Sequence, residues 1–309
     1  MESSPDNRDD IRDFLARRRA QLTPEQVGLP TGGRRRVPGL RREEVAVLAG
    51  VSTEWYTRLE KGHISGVSED VLDAVARTLQ LSDDERTYLF DLAKAAQPSS
   101  PASRRRRKAV DVPPRVQWLL DSMTLSAAFV TNGRRDIVAS NALTRALFAP
   151  MYASPTTAEH GRPNYTRYHF LDPSSRDFYV DWEKAAKTTV AVLRAEAGRY
   201  PNDKAMRELI GELSTLSLEF RTLWAAHHVR VHHGGVKRFQ HPDAGPLELT
   251  YQPLDLPISL QEAHSLTIYT AEPGTPDEDR LKLLASLAAT RSQETAAPTS
   301  EKDLGTRAP

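Results

Sequence analysis

The chain has 309 residues, 27% of them charged, a formal net charge of +1 and no cysteine. This length is most easily two domains, and the lack of thiols excludes disulfides, thiolate metal sites and cysteine nucleophiles. No run of about 18 apolar residues occurs, so no membrane helix is expected, and the polar N-terminus does not read as a signal peptide. A cytoplasmic protein fits these features.

Charge is unevenly placed. Residues 11–62 carry eleven Lys or Arg against six Asp or Glu, whereas residues 111–309 carry 22 against 24. A basic N-terminal third over a nearly neutral remainder is the pattern a phosphate-binding domain requires.

In chain order, residues 1–10 read as disordered, and Ile11 to Leu22 as a helix with Ile11, Phe14, Leu15 and Leu22 at 3,4 spacing. Thr23-Pro24-Glu25-Gln26 reads as a small capping box opening a short turn that ends by Gly28. Thr31 to Pro38 is a loop bearing Arg34, Arg35 and Arg36. Those arginines either reach DNA phosphate or merely solvate the loop.

Arg41 to Ala49 and Thr53 to Lys61 read as the paired helices of a helix-turn-helix. Ala46 permits a close helix crossing, Gly50 suits a left-handed turn residue, and Ser52 caps the second helix. Tyr56 and Leu59 face inward with Val51. Arg41 and Arg42 are placed to clamp phosphates. Thr53, Glu54, Trp55, Thr57, Arg58 and Lys61 are left to face a major groove. Trp55 has an alternative role covering the edge of the core, and a one-residue shift would exchange it with Tyr56. Ser68 and the pair Ser82/Glu85 open two further helices, completing an all-α domain over residues 1–96.

The segment VPGLRREEVAVLAGVSTEWYTRLEKG resembles the Xre, or lambda-repressor-like, helix-turn-helix, in the form found in MmyB-like regulators. The resemblance implies sequence-specific binding to double-stranded DNA.

Residues 97–112, rich in Pro, Ser and Arg, read as a linker, residues 113–290 as a second domain, and residues 291–309 as a disordered tail. Within the second domain a short helix spans Val116 to Leu120. Strands at Ala127–Thr131 and Arg135–Ala139 are joined by Asn132-Gly133, a two-residue hairpin signal. A helix covers Asn141 to Phe148. Asp172-Pro173 opens one long helix to about Glu196, and two helices follow at 203–213 and 218–227. Strands at 229–232, 236–240, 247–251 and 265–270 and a closing helix at 277–289 complete an α+β unit of the kind that folds like a PAS sensor.

The segments RDIVASNALTRALF, FLDPSSRDFYVDWEKAA, LRAEAGRYPND and LSLEFRTLWAAHHVR, with the pair His241-Pro242, resemble the MmyB-like ligand-binding domain. That resemblance implies a PAS-like domain holding a hydrophobic small molecule, with fatty acids as the ligand class. It departs from the family at His228, where an Asp often follows the Trp-x-x-His histidine.

The aromatic stripe of Phe178, Trp182, Phe220, Leu223 and Trp224, with Phe148 and Leu193, reads either as a ligand cavity or as plain core. Asn141, Arg194, Arg221 and His227 are the candidates for fixing a polar head group, and Arg matches a carboxylate with two bonds. Each also has an ordinary reading as a satisfied core or surface side chain. The histidines at 227, 228, 232, 233 and 241 do not follow zinc-site spacing, and no nucleophile elbow or phosphate loop occurs. No catalytic residue, metal or cofactor is therefore expected. The expected protein is a homodimeric DNA-binding regulator with a sensor domain. The alternatives are a C-terminal domain that only dimerises or binds a partner and, more remotely, a metal-dependent hydrolase.

Overall fold

A computed structural model describes residues 5–30, 37, 39–96, 112–201, 203–226, 234–258 and 263–296. The expectations for Arg34–Arg36, for the linker before residue 112, for His227, His228, His232 and His233, and for a strand at 229–232 lie outside these residues.

The N-terminal region is helical: α1 (Pro5–Gln21), a 3-10 turn (Glu25–Val27), α2 (Arg42–Leu48), α3 (Thr53–Glu60), α4 (Glu69–Thr78) and α5 (Asp83–Ala95). Local chemistry sets several ends. Ser52 Oγ accepts from the Trp55 N–H at 3.1 Å. Ser82 and Glu85 form a reciprocal capping box. Gln26 Oε1 accepts from the Thr23 N–H at 2.7 Å. Gly50 has φ 69°, the left-handed turn that joins α2 to α3. Ile11, Phe14, Leu15, Val45, Tyr56 and Leu59 are buried together with Leu72, Val75, Leu89 and Leu92 in one core. Helix α1 starts at Pro5 rather than Ile11. Its first turns are held tertiarily: a β-carbon on Gly62 would fall 2.6 Å from the Arg8 carbonyl oxygen, so the helix passes directly over that turn.

The C-terminal region is α+β. After α6 (Pro114–Ser122) come β1 (Ala127–Asn132) and β2 (Ile137–Ser140). Eight helices follow: α7 (Ala142–Leu147), α8 (Ala149–Tyr152), α9 (Pro155–His160), α10 (Tyr165–Leu171), α11 (Ser174–Phe178), α12 (Trp182–Arg199), α13 (Lys204–Leu216) and α14 (Leu218–Ala225). Then β3 (Gly235–His241), β4 (Gly245–Asp255), β5 (His264–Thr270) and α15 (Pro276–Ala296) close the chain. The strands form one antiparallel sheet of order β2-β1-β5-β4-β3. The two-domain architecture, helical then α+β, is as expected.

Strand register sorts the two faces. The pairs Phe129↔Thr267, Tyr251↔Tyr269 and Lys237↔Leu249 put these residues, with Phe239 and Thr131, on the face beneath the inserted helices. Ala128, Val130 and Leu266 point the other way and pack with Val116 and Leu120 of α6.

Three local expectations are corrected. The β1–β2 turn is not a two-residue Asn-Gly hairpin: Asn132 Oδ1 accepts from the N–H groups of Arg134 and Asp136 at 3.1 and 3.0 Å, and Arg135 takes the left-handed position at φ 68°. The long helix from Asp172 is two helices. Tyr179 leaves α11 to bridge with Phe239, Val180 N–H donates to the Arg238 carbonyl at 3.2 Å, and Asp181 accepts two bonds from the Arg238 guanidinium at 2.6 and 2.8 Å. Pairing with the free edge of β3 wins over helix continuation. The closing helix runs to Ala296, past the expected start of a disordered tail. Helices α8 to α10, over residues 149–171, carry no periodic signal strong enough to be read beforehand.

Candidate DNA-binding face and ligand cavity

Helix α3 presents Thr53, Glu54 and Arg58 to solvent, with Lys61 exposed at its C-terminal end and Ser52 exposed at its cap. Tyr56, Leu59 and Glu60 are buried on the opposite side. At 100° per residue the exposed set spans one face. Thr57 lies half-buried within it, and Trp55 sits at its edge, half-buried against the N-terminal core. The exposed donors and acceptors have the types that read base edges.

Arg41 and Arg42 differ in role. Arg41 is exposed at the N-terminus of α2, and its backbone N–H donates to Glu44 Oε2 at 2.7 Å. Arg42 is committed to the fold. Its Nε and Nη2 reach Glu60 Oε1 at 3.0 and 2.9 Å, and Arg19 holds the other side of the same carboxylate at 2.8 Å. Burial works to raise the Glu60 pKa, but the bonds from Arg19 and Arg42 bring it below the ordinary value. A buried carboxylate thus ties α1 and α2 to the end of α3. As a phosphate clamp Arg42 has only its remaining N–H groups to offer.

The residues expected around a ligand separate into two clusters. Phe148 and Phe178 belong to the core between the sheet and the helices. There the Phe148 ring packs against Phe129, Tyr165, Phe178, Phe239 and Tyr269 with centroids 5.3–6.0 Å apart. That space is occupied by side chains. Trp182 flanks it, stacked on His169 at 4.7 Å and donating to Ser175 Oγ at 3.1 Å. Leu193 and Phe220, with half-buried Leu223 and Trp224, form a separate cluster among α12, α13 and α14.

The head-group candidates are likewise dispersed. Asn141 caps α7. Its Oδ1 accepts from Ala128 and Thr144 N–H groups, and its Nδ2 donates to the Met123 and Ser126 carbonyls, so its amide has no capacity left for a ligand. Arg194 is 1% exposed, lies 3.9 Å over the Trp224 ring, donates to the Trp224 carbonyl and pairs with Asp10 of α1 at 3.5 Å. It faces the N-terminal domain. Arg221 is exposed on α14, and His227 lies outside the described residues. His241 is buried, with Nε2 3.0 Å from the Ala146 carbonyl and Nδ1 accepting from Asp243 and Ala244 N–H groups. Among the described residues no three His, Asp or Glu side chains converge as metal ligands.

A cavity of about 290 Å³ opens between the C-terminal half of α12 and the ends of β1, β4 and β5. Its walls include Thr131, Arg135, Val192, Glu196, Arg199 and Pro253. Arg135 is 8% exposed, and its Nε has no hydrogen-bond partner. On the same sheet face, bordering a separate small gap with Tyr179 and Asp181, the half-buried Lys237 points its ammonium at four tyrosine rings: Tyr251 at 5.1 Å, Tyr165 at 5.8 Å, and Tyr179 and Tyr269 at 5.9 Å each. The Arg135 guanidinium lies 5.5 Å over the same Tyr165 ring. Burial, with repulsion from Arg135 second, pulls the Lys237 pKa down to about 7. Among the described residues neither cation has a carboxylate within ion-pair distance. An unpaired buried charge costs roughly several kcal/mol, so two that share one ring are conspicuous. Neither was singled out from the sequence. The signal was present for Lys237: the alternation through Val236–His241 puts it on the face of Phe239 and His241.

Residues 112–284 match the family model described as the MmyB-like transcription regulator ligand binding domain. Residues 11–89 match a helix-turn-helix domain model. The comparison with curated proteins found no match.

Proposed function

The chain belongs to the MmyB-like transcription regulators, pairing a DNA-binding helix-turn-helix with a ligand-binding domain, and we propose that the second domain is a PAS-like sensor whose occupancy alters DNA binding through helix α12. One observation carries this reading. Along α12, Val192, Glu196 and Arg199 wall the cavity, while Arg194 pairs with Asp10 of α1 and Arg199 pairs with Asp91 of α5 at 3.3 Å. A ligand that moves this helix must move its contacts with the DNA-binding domain, and it biases the protein only to the extent that it binds one arrangement better.

The strand order β2-β1-β5-β4-β3 with all inserted helices between β2 and β3 supports the PAS-like assignment. A fatty acid is the ligand class we assign, and a cytoplasmic homodimer on paired half-sites the working form, since one small helix-turn-helix offers few base contacts. No helix among the described residues is long and apolar enough to cross a membrane. We assign the DNA contacts to Thr53, Glu54, Thr57, Arg58 and Lys61, with Arg41 on phosphate and Trp55 at the rim.

The packed rings around Phe148 favour a second reading, in which the domain only dimerises. Fluorescence anisotropy of the full chain on a selected duplex, with and without dodecanoate, separates the two. A ligand-dependent change in affinity supports the sensor. An unchanged affinity with a dimer in sedimentation supports the second reading.

A further inference from the structure

Resting on the sensor reading, we propose that Arg135 and Lys237 together form the anion site of the domain, binding the carboxylate of a ligand whose remaining body is apolar.

The geometry supplies what such a group needs. Arg135 lines the open cavity, is more than nine-tenths buried, and keeps an unpartnered Nε donor. Lys237 shares the Tyr165 ring with Arg135, at 5.8 and 5.5 Å from its centroid, and among the described residues has no carboxylate within ion-pair distance. The Tyr179 hydroxyl, buried beside Lys237, also lacks a partner and is a further donor for an oxygen anion. Two competing carboxyl groups are accounted for. Glu196 walls the cavity; its Oε1 bonds Arg199 at 3.1 Å, its Oε2 has no hydrogen-bond partner, and burial raises its pKa, disfavouring the charge that would neutralise Arg135. Asp181, on the other side of Lys237, is held by Arg238 at 2.6 Å.

Charge and surroundings select the ligand. Two cations attract an anion, and the planar fork of Arg135 fits two carboxylate oxygens. The neighbouring rings of Phe129, Phe178 and Phe239 surround the cations with apolar surface, which suits a ligand whose body is apolar. A long-chain acid and a compact aromatic acid both present this chemistry.

Isothermal titration of the full chain with dodecanoate, 3-phenylpropanoate and dodecan-1-ol tests the site. We expect one-to-one binding of an acid, roughly tenfold or more tighter than dodecan-1-ol. K237M, which keeps the stem, and R135N, which tolerates the left-handed backbone, should each erase that preference and leave dodecan-1-ol binding unchanged. K237R should retain the preference. The comparison of acid with alcohol in the unmodified protein stands even if a variant fails to fold. Binding of 3-phenylpropanoate alone supports the anion site and removes the fatty-acid assignment. Equal binding of dodecanoate and dodecan-1-ol, or a preference surviving both charge-removing variants, overturns the proposal while leaving a hydrophobic sensor intact. Binding of none of the three overturns the proposal and the sensor reading together.

Discussion

Tyr88 of α5 occupies the space that a side chain on Gly198 of α12 would need: a β-carbon built on Gly198 falls 2.1 Å from Tyr88 Cε2. Only a residue without a side chain lets the two helices approach this closely. The contact lies between the Arg194–Asp10 and Arg199–Asp91 pairs, at 3.5 and 3.3 Å, so a packed point and two charge pairs join the DNA-binding and ligand-binding domains.

Gly198→Leu should force α5 and α12 apart at a cost of about 1–3 kcal/mol from overpacking. Tyr88 itself belongs to the N-terminal core, edge-on to Phe14 at 5.2 Å, so a thermal melt of the variant should accompany the binding measurement. Anisotropy on a selected duplex should show DNA binding retained and its dependence on dodecanoate lost. A ligand response of unchanged size would show that α12 is not the route.

Glu60→Gln should destabilise the N-terminal domain by about 3 kcal/mol, because it removes the charge on which Arg19 and Arg42 converge. The Glu60 pKa is lowered in the fold, so its contribution is present above the unfolded value near ~4.3 and is lost as pH falls through the lower folded value. Denaturation of the two proteins should therefore show a large gap at pH ~5 that narrows toward pH ~3. A gap independent of pH would place the loss in packing instead of charge.

Arg58→Ala and Arg42→Ala should fail differently. Arg58 is exposed on the side of α3 that we assign to the groove, so its removal should cost about 1–3 kcal/mol at one base position and relax the preference there, with no change in melting temperature. Arg42 is bonded to buried Glu60, so its removal should weaken binding to every sequence and also lower the melting temperature. Selection of duplexes by each variant, alongside thermal melts, checks both. Equal loss on all sequences from Arg58→Ala would end its base-reading assignment.

Lys237 should make both stability and acid binding depend on pH. Its pKa is pulled down to about 7 in the empty fold, below the unfolded lysine value, so the ligand-free protein should gain stability as pH rises from ~7 to ~10, and K237M should lack that rise. A bound carboxylate favours the protonated amine, so dodecanoate affinity should fall as pH climbs above ~7. Besides Tyr251, the nearest ring at 5.1 Å, the titratable groups facing Lys237 are shifted out of that window. Burial raises the pKa values of the Tyr165, Tyr179 and Tyr269 phenols, and His169 is held neutral by burial with a pKa of about 3. Lys184 and the Asp181–Arg238 pair border the same small gap from its outer side. Titrations at pH ~6, ~7.5 and ~9 check this, and a flat profile would remove Lys237 from the site.

What the sequence determined by itself was set by near neighbours, although the local Asn132–Asp136 turn escaped it. The helix-turn-helix was legible because Gly50, Ser52, Tyr56 and Leu59 act within one or two turns, and the cap at Ser82 rests on residues three apart. Five of the six expected strands and the order of the two domains followed from periodicity, while the sixth, at 229–232, lies outside the described residues. Tertiary structure decided the rest. Tyr179–Asp181 abandons its helix because β3, some 57 residues on, offers a free edge and the Arg238 guanidinium. Arg194, marked for a ligand, turned to Asp10 at the far end of the chain, and the aromatic stripe was divided between two cores. Arg135 and Lys237, remote in sequence, meet over Tyr165 only once β1, β3 and α10 are assembled. Periodicity reports whether a side chain is buried. Which partner it meets there, or whether it meets none, depends on contacts that no local pattern encodes.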